Sequence, residues 1–150
     1  METAKGLQTS ERFRIGALLA VAGGLLDAYT YLMRGGVFAN AQTGNIVLLG
    51  VRAVEGDWSS VLHYLLPILA FAAGVIAAEC IKERLKEVRV VHWRQVTVCL
   101  EIILLALVAF LPQQLNALAN IMVSFVCAIQ VESFRKVRGN AFATTMCTGN

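Results

Sequence analysis

Four long apolar blocks divide the chain and restrict what it can fold into: IGALLAVAGGLLDAYTYLM (15–33), SVLHYLLPILAFAAGVIAAECI (60–81), VTVCLEIILLALVAFL (96–111) and ALANIMVSFVCAIQVESF (117–134). At 1.5 Å rise per residue, a hydrocarbon core of roughly 30 Å takes about 20 helical residues. The blocks at 15, 60 and 117 have that length, and the block at 96 reaches it with VVHWRQ as an interfacial end. A soluble domain has no surface for such a sequence, since 57% of the 150 residues are hydrophobic and only 15% charged. The expectation is an all-α polytopic membrane helix bundle with four spanning helices.

The N-terminus carries Lys5, Arg12 and Arg14 before an apolar run containing Ala20-Val21-Ala22, the pattern of a secretory leader. The run continues past that point, and three later helices would still need a bilayer, so it reads as the first span. Cys80, Cys99, Cys127 and Cys147 have neither Cys-x-x-Cys spacing nor a His partner and read as small reduced hydrophobes. Neither a metal nor a cofactor is implied. The formal charge of +3 needs no nucleic-acid partner, because basic residues flanking membrane helices account for it.

Charge also orients the helices. The loop KERLKEVRVVHWRQ holds Lys82, Arg84, Lys86, Arg89 and Arg94, and RKVRG holds Arg135, Lys136 and Arg138, whereas PQQLN (112–116) has no charge. The positive-inside rule makes the first two cytoplasmic and the third external. Trp58 and Trp93 fit interfacial anchors. Segment 34–59 decides the rest. Its apolar run IVLLGVRAV (46–54) gives about 13 Å of helix, half a bilayer. If the segment is re-entrant, residues 1–14 are cytoplasmic and only Arg34 and Arg52 of the 13 basic residues lie outside. If it crosses fully, Lys5, Arg12, Arg14 and Arg52 are all outside, so the rule favours re-entrance.

Two polar stretches follow apolar runs: FANAQTGN (38–45) and FATTMCTGN (142–150). At one offset of 105 residues, Thr43, Gly44 and Asn45 meet Thr148, Gly149 and Asn150, Asp27 meets Glu132, and Tyr29 meets Phe134. That register suggests an internal duplication. Three crossings between the copies would turn the second upside down, the inverted-repeat architecture of many secondary transporters. Backbone leaves helical geometry inside a bilayer only where protein or a water-filled cavity satisfies it. Each TGN is therefore read as starting a half-helix, at Ile46 in the first copy. Thr and Asn oxygens would cap it, and Gly would admit backbone or ligand.

The stretch GGLLDAYTYLMRGGVFANAQTGNIVLLG resembles the signature of the YoaK family of bacterial integral membrane proteins, a domain of unknown function. In that family a Gly-x-x-Asp-Ala helix leads through Gly-Gly-Val-Phe to Thr-Gly-Asn. AIQVESFRKVRGNAFATTMCTGN is similar to the family's later Gln-containing helix, basic turn and second Thr-Gly motif. The resemblance implies a multi-pass protein of the bacterial inner, or plasma, membrane and supplies no substrate. The family pattern continues beyond its second motif, so the chain reads as a cytoplasmic tail (1–14), a first membrane repeat (15–116) and the truncated start of a second (117–150).

Asp27 lies mid-helix, where an acid costs roughly 2.5–3.5 kcal/mol to insert. It should face the bundle beside a small-residue face of Gly16, Ala20, Gly23 and Gly24. It is either a proton or cation site or a hydrogen-bonded acid that fixes packing. Glu101, mid-way along its block, is the second candidate for a proton relay. Glu132 is either Asp27's counterpart or an interfacial acid beside Arg135. Glu79 reads as a solvated helix end, His63 as a tolerated interfacial residue, and Ala70, Gly74 and Ala78 as a packing stripe. The leading function is a small-solute transporter or permease, proton-coupled. Its site would be Asp27, Asn40, Gln42, Thr43, Gly44 and Asn45, with Glu132, Thr148, Gly149 and Asn150 from the second copy. The competing reading is a structural or assembly protein whose polar motifs only pack helices. An intramembrane enzyme is disfavoured, because the only histidines are His63 and His92 and no nucleophile motif accompanies them. The expected partners are the lipid bilayer, an unknown small solute and further copies of the chain.

Overall fold

The structure, a computed structural model, describes residues 13–86, 92–137 and 140–141. Five helices follow in order: α1 (Phe13–Met33), α2 (Gln42–Val54), α3 (Trp58–Leu85), α4 (Trp93–Ala109) and α5 (Asn116–Ser133). A two-residue antiparallel ladder, β1 (Lys136–Val137) with β2 (Asn140–Ala141), follows α5. Three helices are long and apolar enough to cross a membrane: Arg14–Met33, Trp58–Leu85 and Gln113–Ser133. The fourth expected span, α4, has 17 residues, about 25 Å. Of the VVHWRQ extension (90–95), Trp93, Arg94 and Gln95 are already the first turn of α4 and His92 caps it, while Val90 and Val91 lie outside the described residues.

Turn chemistry sets the boundaries. α1 ends where Gly35 and Gly36 take φ of 94° and 77°, a left-handed conformation that side chains with a Cβ rarely adopt. α3 starts at Asp57, whose Oδ1 accepts from the Ser60 N–H at 3.1 Å. The Ser60 hydroxyl and N–H together hold the Asp57 carboxyl below its ordinary range. α4 starts with a capping box between His92 and Gln95.

α5 is the central helix, buried on most of its circumference, with its longest contact along α3 and the next along α4. At the α3–α5 crossing a Cβ on Gly74 would stand 2.6 Å from the Phe125 carbonyl oxygen and 2.7 Å from the Ala128 Cβ. Of the expected packing stripe, Gly74 and Ala78 are buried and Ala70 is half-buried. On α1 the small face differs from expectation. Gly16 and Gly23 are buried, but Gly24 is exposed with nothing within 4 Å of a Cβ.

The outer surface is apolar: Leu32 is 76% exposed, Ile76 65% and Phe110 88%. The buried centre, by contrast, holds Thr30, Arg34, Asn45, Thr97, Glu101, Asn120, Ser124 and Gln130. A chain in water reverses that arrangement, whereas a bilayer requires it.

Hydrogen bonds fix the relative directions. The Asn120 Nδ2 donates to the Arg34 carbonyl at 2.9 Å, and the Gln130 Nε2 donates to the Leu19 carbonyl at 3.0 Å, so α1 and α5 are antiparallel. The Ser133 hydroxyl donates to the Thr97 Oγ1 at 3.1 Å, while the far end of α4 meets Arg34 beside Asn116, so α4 and α5 are antiparallel as well. His63, near the start of α3, bonds the Gly35 carbonyl at 2.9 Å. The end of α1 and the start of α3 therefore lie together, and the segment between them begins and ends at the same pole of the bundle.

Candidate functional site

After Gly36 the chain turns back toward the middle of α1. The Asp27 Oδ1 accepts from the Asn40 N–H at 2.7 Å and, more weakly, from the Ala41 N–H at 3.4 Å. These are donors at the start of α2, where a helix leaves N–H groups unsatisfied and concentrates about half a positive charge. Ala41, the residue in the N-cap position, offers no side-chain cap. Asp27 supplies that cap from another helix.

The tripeptide is used differently from expectation. α2 begins at Gln42, not Ile46, so Thr43, Gly44 and Asn45 form its first turn. Thr43 is exposed. Asn45 is buried and staples the preceding loop: its Oδ1 accepts from the Phe38 N–H at 3.0 Å, and its Nδ2 donates to the Phe38 carbonyl at 2.6 Å and to the Gln42 Oε1 at 2.9 Å. The Gln42 Nε2 in turn donates to the Ala39 carbonyl at 2.7 Å. A Cβ on Gly44 would stand 2.7 and 2.9 Å from carbons of the Phe38 ring, so the glycine admits an aromatic ring of this chain. Phe38 stacks on Tyr31 with centroids 4.7 Å apart.

Arg34, read from the sequence only as a basic residue of the outer loop, is 4% exposed. Its guanidinium donates to the Tyr29 hydroxyl (2.6 Å), to the carbonyls of Leu111 (2.9 Å), Pro112 (3.2 Å) and Val108 (3.5 Å), and to the Asn116 Oδ1 (3.2 Å). A cation on the last carbonyls of α4 complements the negative end of that helix. Arg94 does the same at the opposite pole, donating to the Ser133 carbonyl at 3.0 Å.

A second group of polar side chains is buried along α4 and α5. Thr97, Glu101 and Val108 form the buried stripe of α4 that faces α5. Asn120 and Ser124 lie one turn apart on α5, and both are buried. Among the described residues, five buried side-chain atoms have no hydrogen-bond partner: Asn40 Nδ2 and Oδ1, Glu101 Oε1, Asn120 Oδ1 and Ser124 Oγ. Buried polar atoms are nearly always paired, so five orphans on four side chains call for an explanation. Asn40 was expected in the solute site and Glu101 as a proton relay. Asn120 and Ser124 were not, although two polar residues four apart inside an apolar block mark one helix face.

The second-copy acid lies elsewhere. Glu132 stands 3.8 Å from the Arg135 guanidinium at the far pole, in a pocket of about 400 Å³ shared with Glu79, Lys82, Trp93, Arg94, Ser133 and Arg135. Glu79 pairs with Lys82 at 2.9 Å. Thr148, Gly149, Asn150 and Cys147 lie outside the described residues. Cys80, Cys99 and Cys127 are free.

An apolar outside, a polar centre and helices of spanning length define a polytopic helical membrane protein. Within that class the chain belongs to the family described as protein of unknown function (DUF1275), which it matches over residues 15–150. It is 39% identical over 62 residues to the UPF0700 transmembrane protein YoaK of Bacillus subtilis (strain 168), a match covering 41% of this chain and 28% of that relative. No solved structure matches it.

Proposed function

We propose that the chain carries the solute site of a cation-coupled small-solute permease of the bacterial inner membrane. In this reading residues 34–57 form a re-entrant segment, residues 1–14 face the cytoplasm, and α5 opens the second half of an inverted repeat. The observation that carries it is the set of orphaned polar atoms on Asn40, Glu101, Asn120 and Ser124 beside a broken helix. A bilayer protein keeps unpaired polar groups buried at considerable cost, and their usual office is to meet a solute or ion. Support for re-entrance comes from the shared pole of the α1 end and the α3 start, and support for inversion from antiparallel α1 and α5.

The rival packing reading draws on a specific observation too: the polar groups of Asp27, Gln42 and Asn45 are engaged by this chain's own backbone and side chains. These residues build the site, and Asn40 belongs to it directly. The whole membrane protein in proteoliposomes, offered a panel of labelled amino acids, sugars, nucleosides, organic acids and amines, should accumulate one class above empty liposomes. Asn40→Ala should remove that uptake without lowering folded yield. Folded wild type that moves none of the panel defeats the permease reading in favour of packing.

A further inference from the structure

We propose that the pocket where α3, α4 and α5 meet at the basic pole holds the phosphodiester headgroup of an anionic phospholipid. The inference goes beyond the permease reading and does not depend on it. All three helices build the pocket, which is about 400 Å³: Glu79 and Lys82 near the end of α3, Trp93 and Arg94 in the first turn of α4, Glu132 at the end of α5, and Arg135 just beyond. Its depth suits a headgroup. Counted from Trp58, about 20 residues of α3 fill a hydrocarbon core of roughly 30 Å, which brings Glu79 and Lys82 to the polar boundary. Trp93 has the amphipathic ring characteristic of that level. Ile76, one turn before Glu79 on the same side of α3, is 65% exposed, so apolar surface for an acyl chain runs up to the pocket.

The charges select the ligand. Lys82, Arg94 and Arg135 bring three positive charges against at most two negative ones, and the single charge of a phosphodiester balances the excess. The acids are engaged within the pocket: Glu79 pairs with Lys82 at 2.9 Å, and the Glu79 and Glu132 carboxyls lie within hydrogen-bonding reach of each other. Arg135 meets Glu132 at 3.8 Å, beyond hydrogen-bonding distance, and its side chain is 69% exposed. Its planar N–H fork is therefore open to two phosphate oxygens. Arg94 is fixed in place, its Nε donating to the Ser133 carbonyl at 3.0 Å and its guanidinium lying 5.1 Å over the Trp93 ring. The start of α4 adds the positive end of a helix dipole at the same place. Basic pockets between membrane helices are a recurrent setting for acidic headgroups. A soluble anion would meet the same cations but gain nothing from the apolar surface beside them.

The test uses the whole membrane protein in nanodiscs of phosphatidylcholine alone and of phosphatidylcholine with phosphatidylglycerol, at one salt concentration. Thermal midpoints are compared, and phosphatidylglycerol retained on detergent extraction is counted by native mass spectrometry. Wild type should gain several degrees from phosphatidylglycerol and retain it. The double variant Lys82→Gln, Arg135→Gln should lose both effects while remaining folded in phosphatidylcholine. Arg84→Gln, which removes a charge from an exposed position of α3 outside the pocket, should keep both. Equal wild-type midpoints in the two lipid mixtures overturn the proposal, as does a gain that survives in the double variant or falls as far in Arg84→Gln as in Arg135→Gln. Should the double variant not fold, Arg135→Gln alone decides, because that side chain is largely exposed. Inorganic phosphate added to phosphatidylcholine nanodiscs should shift nothing, and a gain equal to that from phosphatidylglycerol overturns the lipid in favour of a soluble anion.

Discussion

The Asp27 carboxylate accepts the backbone N–H of Asn40 at 2.7 Å, tying the middle of α1 to the start of α2 across 13 residues. An acid that costs a few kcal/mol to bury is thereby matched to the electropositive end of a helix that has no cap of its own. Asp27 is thus a positioning residue, and the break it holds presents Asn40 to the bundle centre.

Asp27→Asn and Asp27→Leu should separate on this basis. Asparagine keeps an oxygen for the Asn40 and Ala41 N–H groups and loses only the charge, a cost of about 0.3–2 kcal/mol. Leucine inserts more easily but leaves those donors unsatisfied, at about 1–3 kcal/mol each. Thermal midpoints of the whole protein should rank wild type, Asn, Leu, and a Leu variant as stable as Asn would remove the cap.

The main helices were legible because periodicity and length are local signals. α3, α4 and α5 begin and end within about four residues of their apolar blocks, and the half-length of α2 followed from its short run. The site was legible only where its chemistry is local. Asp27 and Asn40 stand out in an apolar context, but Arg34 meets partners 74 to 82 residues away, and nothing in RGG announces them. The tripeptide misled for a related reason. Thr and Asn beside a helix start suggest caps, yet the chain's return path delivered a distant carboxylate to that place and freed Asn45 to hold the loop.

Arg34→Lys and Arg34→Met test the clamp between α1 and α4. Lysine has three donors and no planar fork, so it cannot reach Tyr29, Asn116 and the α4 carbonyls together. Methionine satisfies none of them. The expected midpoints fall from Arg to Lys to Met, with Met losing more than about 2 kcal/mol. Retention of wild-type stability by Met would show that those carbonyls find other donors.

Within the tripeptide, Asn45→Ala should cost about 1–3 kcal/mol, because it removes the bonds to both backbone groups of Phe38. Thr43→Ala should change stability by no more than about 0.5 kcal/mol, since Thr43 is exposed. Denaturant midpoints of the two variants decide, and equal losses would restore the view that both residues act as caps.

The final prediction concerns Gly44 and Phe38. A methyl group on Gly44 falls 2.7 Å from the Phe38 ring, which cannot simply swing away because it is stacked on Tyr31. Gly44→Ala should therefore destabilise by about 1–3 kcal/mol although alanine is the better helix former. Phe38→Ala removes the obstacle as well as some packing. In the double variant the alanine at 44 should then cost little, giving a coupling energy of about 1–3 kcal/mol in the cycle of four midpoints. If Gly44 serves instead to let a ligand approach, Phe38→Ala will rescue nothing and the two costs will add.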